Sequence, residues 1–249
     1  MERSSLVRSR RPRLVPNDGR PALRVSGAHP RTVMDVDRFD RATRIVHLAH
    51  AALFAGLVGT GFLLLFFPSI RAIALGPYRV LPLVHTALGL AMSALFLSVA
   101  IHRACEPLRR DVRAASSWRW RDARWLVLAP ISIALRGSAL PAQPRFNAGQ
   151  RLNILFTIAT TALLGVTGLI LWSGRLVTYR IQEPAYEIHF LIALAVSVVA
   201  LGHTVVALTH PGSLRGIIAG RVSEQWASRH HAEWAATMRP VPRSADRGE

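Results

Sequence analysis

Lysine is absent from this 249-residue chain: all 31 positions that could be lysine or arginine are arginine. So uniform a choice is a compositional bias and carries no function of its own. Acidic residues are scarce, 14 against those 31, and the formal net charge is +17. A chain this basic raises the question of nucleic acid. Its arginines flank apolar blocks, however, instead of forming a stripe on a soluble fold, so membrane topology explains them and nucleic-acid binding is set aside. Cysteine occurs once, at Cys105. A single thiol excludes an intramolecular disulfide, a cysteine-ligated iron–sulfur cluster and a zinc ribbon, so any cofactor must be held by other side chains. The stretch 1–38 lacks both hydrophobic periodicity and the apolar core of a secretory leader, and no apolar segment follows Arg10-Arg11 as in a twin-arginine leader. It is expected to be a disordered, basic cytoplasmic tail.

What the chain has in quantity is apolar residues, 51% of the total, with a mean hydropathy of +0.27. They collect in four blocks, Ile45–Phe67, Leu81–Ile101, Leu152–Trp172 and Ile188–Leu208. Each reaches the roughly 20 residues needed to cross a hydrocarbon core of about 30 Å, and none carries Asp, Glu or Arg in its middle. The expected fold is all-α: an integral membrane four-helix bundle over 39–210, followed by a C-terminal tail over 211–249. Arginines cluster before the first block (Arg38, Arg41, Arg44), between the second and third (Arg103 to Arg124) and after the fourth (Arg215, Arg221, Arg229). The other two loops hold only Arg71, Arg79, Arg175 and Arg180. The positive-inside rule then places both termini and the central loop in the cytoplasm. Within that loop, Trp125–Leu135 is too short to cross; it either lies along the membrane surface or packs on a partner protein. Beyond the fourth block, Pro211-Gly212 stops the helix, and Ser223 reads as the N-cap of a short amphipathic helix ending near His230-His231.

Four of the ten histidines lie in the apolar blocks at matched depths. His47 and His203 fall near the cytoplasmic side, His85 and His189 near the outer side. His189 and His203 are 14 residues apart on the fourth block. On an ideal helix that is roughly 21 Å of rise and about 40° short of four full turns, so both face one side of the bundle. One helix can thus offer an imidazole to each of two stacked macrocycles, and bis-histidine ligation of two b-type haems is the expected chemistry. A proton or metal-ion pathway is the rival reading, since intramembrane ionisable groups mark such pathways too. His50, one turn after His47, is an alternative inner ligand. Gly61, Gly89, Gly165 and Gly168 either let a flat porphyrin approach the backbone or serve close helix–helix packing. No broken helices or inverted repeat are evident, which argues against a transporter.

At several of these residues the chain resembles the cytochrome b-556 (gamma) subunit of membrane-bound formate dehydrogenases. That family lies within the di-haem cytochromes b that also anchor hydrogenases and related reductases. The matching pieces are Arg44-Ile45-Val46-His47, Leu83-Val84-His85, Phe146-Asn147-Ala148-Gly149-Gln150, Ile188-His189 and Gly202-His203. The tail from Gly212 to Ser223, and Trp226 through His230-His231, match as well. Leu48 stands where the family commonly has Trp, and the run His231-Ala232-Glu233-Trp234 lacks the family's usual Pro and following Tyr. The resemblance implies that His85 and His189 hold an outer haem and His47 and His203 an inner one. It also implies that Asn147 and Gln150 line a pocket for a quinone, menaquinone or ubiquinone. Asn147 reads equally as the N-cap of the third span. The implied role is an electron-transfer subunit in a bacterial inner membrane. It would take electrons from an iron–sulfur (beta) subunit, itself fed by a molybdenum- or tungsten-containing catalytic (alpha) subunit that oxidises formate. A hydrogenase or thiosulfate reductase as partner is the neighbouring alternative.

Overall fold

A computed structural model describes residues 35–135 and 140–238 of the chain. In chain order the elements are β1 (Asp35–Asp37), α1 (Arg41–Phe66), α2 (Pro68–Ala72), β2 (Ala74–Leu75), β3 (Tyr78–Arg79), α3 (Val80–Ile101), α4 (Glu106–Ser116) and α5 (Trp120–Leu135). There follow α6 (Ala148–Trp172), α7 (Tyr179–Thr209), α8 (Pro211–Ala219), β4 (Arg221–Ser223), α9 (Glu224–His230) and α10 (Ala232–Met238).

Four of these, α1, α3, α6 and α7, are long and apolar enough to cross a membrane. The protein is a helical membrane bundle. α1 packs along α3 and α6 along α7, and the two hairpins meet through α3 and α6. Large apolar side chains point outward from them, Leu97, Val198 and Leu201 among them, each about two-thirds exposed. Lipid is the solvent that such a surface requires. Where the helices touch, small residues set the spacing. A Cβ on Gly56 would sit 3.1 Å from Leu88, and one on Gly165 3.3 Å from the Ser93 hydroxyl. Gly165 therefore serves close helix packing.

Two spanning helices, α1 and α6, begin at side-chain caps a few residues before their apolar blocks. Asp40 caps α1 by accepting from the Thr43 backbone N–H at 2.9 Å and from its hydroxyl at 2.8 Å. The largest extension is in α7, which starts at Tyr179, nine residues ahead of the apolar block. Arg180, Glu183 and Glu187 lower the local hydropathy without opposing a helix, so the chain stays helical while leaving the hydrocarbon. At 31 residues α7 is about 46 Å long, against a core of about 30 Å.

The connecting helices α4, α5 and α8 to α10 gather at one end, the end that carries the arginine clusters. Arg151, from the first turn of α6, donates to Asp122 at 2.8 Å and to the carbonyls of Ala115 and Ser117, tying α4 and α5 to the bundle. Both members of this ion pair are buried. The apolar run expected at Trp125–Leu135 is the greater part of α5, which begins earlier, at Trp120. It packs against α6, and a Cβ on Gly149 would lie 3.3 Å from the Trp125 ring.

Pro211 ends α7 as expected but also opens α8, where its missing N–H costs nothing. Ser223 caps α9, accepting from the Trp226 N–H at 3.2 Å. Most of the expected basic tail lies outside the described residues. Its last four belong to the folded unit: Asp35–Asp37 pairs antiparallel with Arg221–Ser223, and Arg38 is buried. The Arg38 guanidinium lies over the rings of Phe39, Phe146, Trp226 and Trp234 at 4.7 to 5.7 Å.

Candidate functional site

The four intramembrane histidines meet in two facing pairs. His85 on α3 and His189 on α7 have ring centroids 6.4 Å apart, with the planes at 69°. His47 on α1 and His203 on α7 are 6.3 Å apart, at 50°. A metal ion held by two imidazole nitrogens at about 2.0 Å each puts the ring centroids roughly 6.3 Å apart. Both pairs therefore fit a bis-histidine iron in their separation. His85 and His189 are half-buried, whereas His47 and His203 are exposed at the bundle's flank. Among the described residues no three or more of His, Cys, Asp and Glu come together, so neither pair has a third such side chain beside it.

The surroundings of the two pairs differ. The His85 Nδ1 lies 2.7 Å from the Thr60 hydroxyl, and the His189 Nδ1 lies 2.9 Å from the Thr167 hydroxyl. The glycine after each threonine opens onto the ring: a Cβ on Gly61 would be 3.5 Å from His85 Cε1, and one on Gly168 3.4 Å from His189 Cε1. Gly89 faces nothing within 4 Å. Gly61 and Gly168 thus lie against the histidine rings, whereas Gly165 lies against Ser93. Sequence reading did not single out Thr60 or Thr167. The signal was there in the recurrence of Thr-Gly one hairpin arm before His85 and before His189.

The other histidines among the described residues have other surroundings. His50 stacks on Phe54 at 6.1 Å and lies 5.8 Å from Phe96, opposite no second histidine, and its Nε2 is buried without a partner among the described residues. His102 accepts from the Ala104 N–H at 3.2 Å, and His210 bonds the Val206 carbonyl at 2.8 Å. His230 stacks on Trp226 at 4.9 Å. His231 is almost fully buried; it donates from Nδ1 to the Pro144 carbonyl at 2.8 Å and accepts at Nε2 from Arg38 at 3.2 Å. Burial first, and then the Arg38 charge, pull its pKa down to about 4. Burial, then Arg145, lower that of Arg38 to about 9.

Asn147 and Gln150 form a reciprocal capping box at the start of α6. The Asn147 carboxamide oxygen accepts from the Gln150 N–H at 2.8 Å, and that of Gln150 accepts from the Asn147 N–H at 3.0 Å. The N-cap reading of Asn147 is therefore realised. It leaves the two amide NH2 groups, which make no hydrogen bond among the described residues and keep four N–H donors at the basic end of the bundle.

The "Formate dehydrogenase, nitrate-inducible, cytochrome b556(Fdn) subunit" of Escherichia coli (strain K12) is 30% identical over 93 residues, 36% of this chain and 43% of that protein. The "Formate dehydrogenase, cytochrome b556(fdo) subunit" of the same strain is 30% identical over 98 residues, 38% of this chain and 46% of that one. The "Formate dehydrogenase, cytochrome b556 subunit" of Haemophilus influenzae is 29% identical over 118 residues, 45% and 49%. The chain spans less than half the length of each of these relatives. The sequence profile of a membrane cytochrome family matches residues 38–220, which hold α1 through α8 and all four facing histidines. With that match over most of its length, the chain belongs to the prokaryotic cytochrome b561 family.

Proposed function

We propose that this chain is the di-haem b-type cytochrome subunit of a respiratory formate dehydrogenase, in which His85 and His189 would hold an outer haem and His47 and His203 an inner one. The observation that carries the reading is the separation of the two ring pairs, 6.4 and 6.3 Å, against the roughly 6.3 Å of a bis-imidazole metal. Haem b, when bound, supplies one-electron transfer between a donor at the outer face and a quinone at the basic end. The chain's own work is to present four imidazoles, to surround them with apolar helix and to hold the two pairs at a set spacing. α7 does the last, since it carries one member of each pair. Asn147 and Gln150 bind the quinone: their free NH2 groups donate to its carbonyls without bringing a charge into the membrane. The donor is an iron–sulfur subunit joined to a molybdenum or tungsten formate-oxidising subunit; the relatives' names support only the assignment to formate dehydrogenase. The arginine-rich end, with both termini, faces the cytoplasm, and the membrane is the bacterial inner one.

The test is an absorbance spectrum of the protein purified from its own membranes. A reduced b-type band and two haems per chain by pyridine haemochromogen are expected. His85→Ala or His189→Ala should remove one haem, and His47→Ala or His203→Ala the other. In the intact complex formate should reduce the band. No b-type band when haem is supplied would sink the proposal. Reduction by hydrogen but not by formate would transfer the subunit to a hydrogenase.

A further inference from the structure

We infer that Thr60 and Thr167 are positioning residues, each holding one outer histidine as the Nδ1–H tautomer with its Nε2 lone pair free for iron. The inference rests on the haem reading above, and concerns how the chain prepares its own ligands for that group.

The argument is one of counting protons. The Thr60 hydroxyl lies 2.7 Å from the Gly56 carbonyl, four residues back on α1, and 2.7 Å from the His85 Nδ1. The Thr167 hydroxyl lies 2.8 Å from the Leu163 carbonyl and 2.9 Å from the His189 Nδ1. A hydroxyl has one proton to give and two lone pairs to receive with. A carbonyl can only accept, and two oxygens at this distance with no proton between them repel. The hydroxyl proton therefore goes to the carbonyl, and the contact with the imidazole exists only if Nδ1 carries the proton. Nε2 is then the ring nitrogen left to bind metal.

The device occurs twice. Thr60-Gly61-Phe62-Leu63-Leu64 on α1 stands to His85 on α3 as Thr167-Gly168-Leu169-Ile170-Leu171 on α6 stands to His189 on α7. In each hairpin the first helix grips the ring at Nδ1 and, one residue on, sets a glycine against its edge. Back-bonding alone does not create the contact. Thr160, also on α6, donates to the Phe156 carbonyl at 2.8 Å and touches no histidine. Among the described residues neither His47 nor His203 makes a comparable hydrogen bond, so the brace belongs to the outer pair only. Its electronic consequence has a definite direction. Donation from Nδ1–H makes Nε2 more basic, which favours the oxidised iron and lowers the outer midpoint potential relative to an unbraced pair. That bias sends electrons inward.

Thr60→Val and Thr167→Val, made singly in the full chain within its complex, test this; Thr160→Val is the control. Each of the first two should weaken outer-haem retention, measured by transfer to apomyoglobin, by about tenfold. Each should also raise the midpoint of the outer haem alone in a potentiometric titration and shift the gmax of that haem's low-spin EPR signal. Thr→Ser at the same positions should restore all three, and Thr160→Val should change none. Should a valine variant not accumulate, Thr→Ala against Thr→Ser makes the same comparison. Unchanged retention and potential in the Thr60 and Thr167 variants, with two haems present and His85→Ala losing one, would overturn this inference and leave the haem reading standing. A wild-type protein without b-type haem, or His85→Ala retaining both, would overturn the two together.

Discussion

Asn147 is asked to do two things with one carboxamide. Its oxygen is committed to the Gln150 N–H at 2.8 Å, where it starts α6, and its NH2 is free for a quinone carbonyl. Aspartate separates the two tasks, since it caps a helix as well as asparagine does but has no N–H to donate. Asn147→Asp should therefore leave the melting temperature of the purified protein unchanged while lowering quinone turnover. Asn147→Ala should lower both, the stability by about 1 kcal/mol. Wild-type turnover in Asn147→Asp would reduce the residue to a cap. The same separation of roles applies to the glycines: Gly165 closes a helix contact, whereas Gly61 and Gly168 open onto histidine rings.

Among the elements, α4 and α5 meet α6 at a buried ion pair. Asp122 is fully buried and Arg151 nearly so. An isolated buried charge is expensive, so removing one partner costs more than the pair contributes. Arg151→Met should destabilise the protein by about 3–5 kcal/mol, and the double variant with Asp122→Asn should recover part of it. Thermal unfolding in detergent measures both, and hydrogen exchange should report faster opening of α4. If Arg151→Met melts like the wild type, the pair is not what seats these helices. The β1–β4 clasp has a backbone requirement instead. Gly220 has φ +81°, its carbonyl accepts from the Arg38 and Phe39 N–H groups at 2.7 and 3.1 Å, and a Cβ there would lie 2.9 Å from the Phe39 carbonyl oxygen.

The whole molecule divides into a lipid-solvated bundle and a polar cap at its basic end, and the cap carries the pH dependence. Buried His231 is neutral, with Arg38 against its Nε2. Its pKa falls from the ordinary 6.5 to about 4, so the unfolded chain takes up the proton first as the pH drops. The stabilisation is complete above pH 6.5 and is lost between there and about 4, at up to about 1.4 kcal/mol per pH unit. Melting temperatures across that window should fall for the wild type and stay flatter for His231→Gln, which can still accept from Arg38 and donate to Pro144. Parallel curves would remove His231 from the account. Orientation is testable at the same scale. Reporter fusions to the C-terminus and to the α4–α5 loop should be active only in the cytoplasm, and fusions to the β2–β3 turn only outside.

Four spans could be read from the chain because a membrane crossing needs only a run of apolar residues, and that information is local. The depth of each histidine could be read as well, since helix rise is constant and 14 residues on α7 return nearly to the same face. Capping at Asn147 and Ser223 was equally local. What packing decided was everything that depends on a neighbour far along the chain. The burial of Arg38 at the edge of an arginine-rich tail and the seating of Arg151 on Asp122 lie beyond any window of sequence. So do the two threonine hydroxyls. A threonine in an apolar helix ordinarily satisfies itself on its own backbone, as Thr160 does; only the approach of α3 to α1 and of α7 to α6 makes Thr60 and Thr167 acceptors for a histidine. Hydropathy and helix period are properties of one segment, whereas a hydrogen bond between helices exists only once both have been brought together.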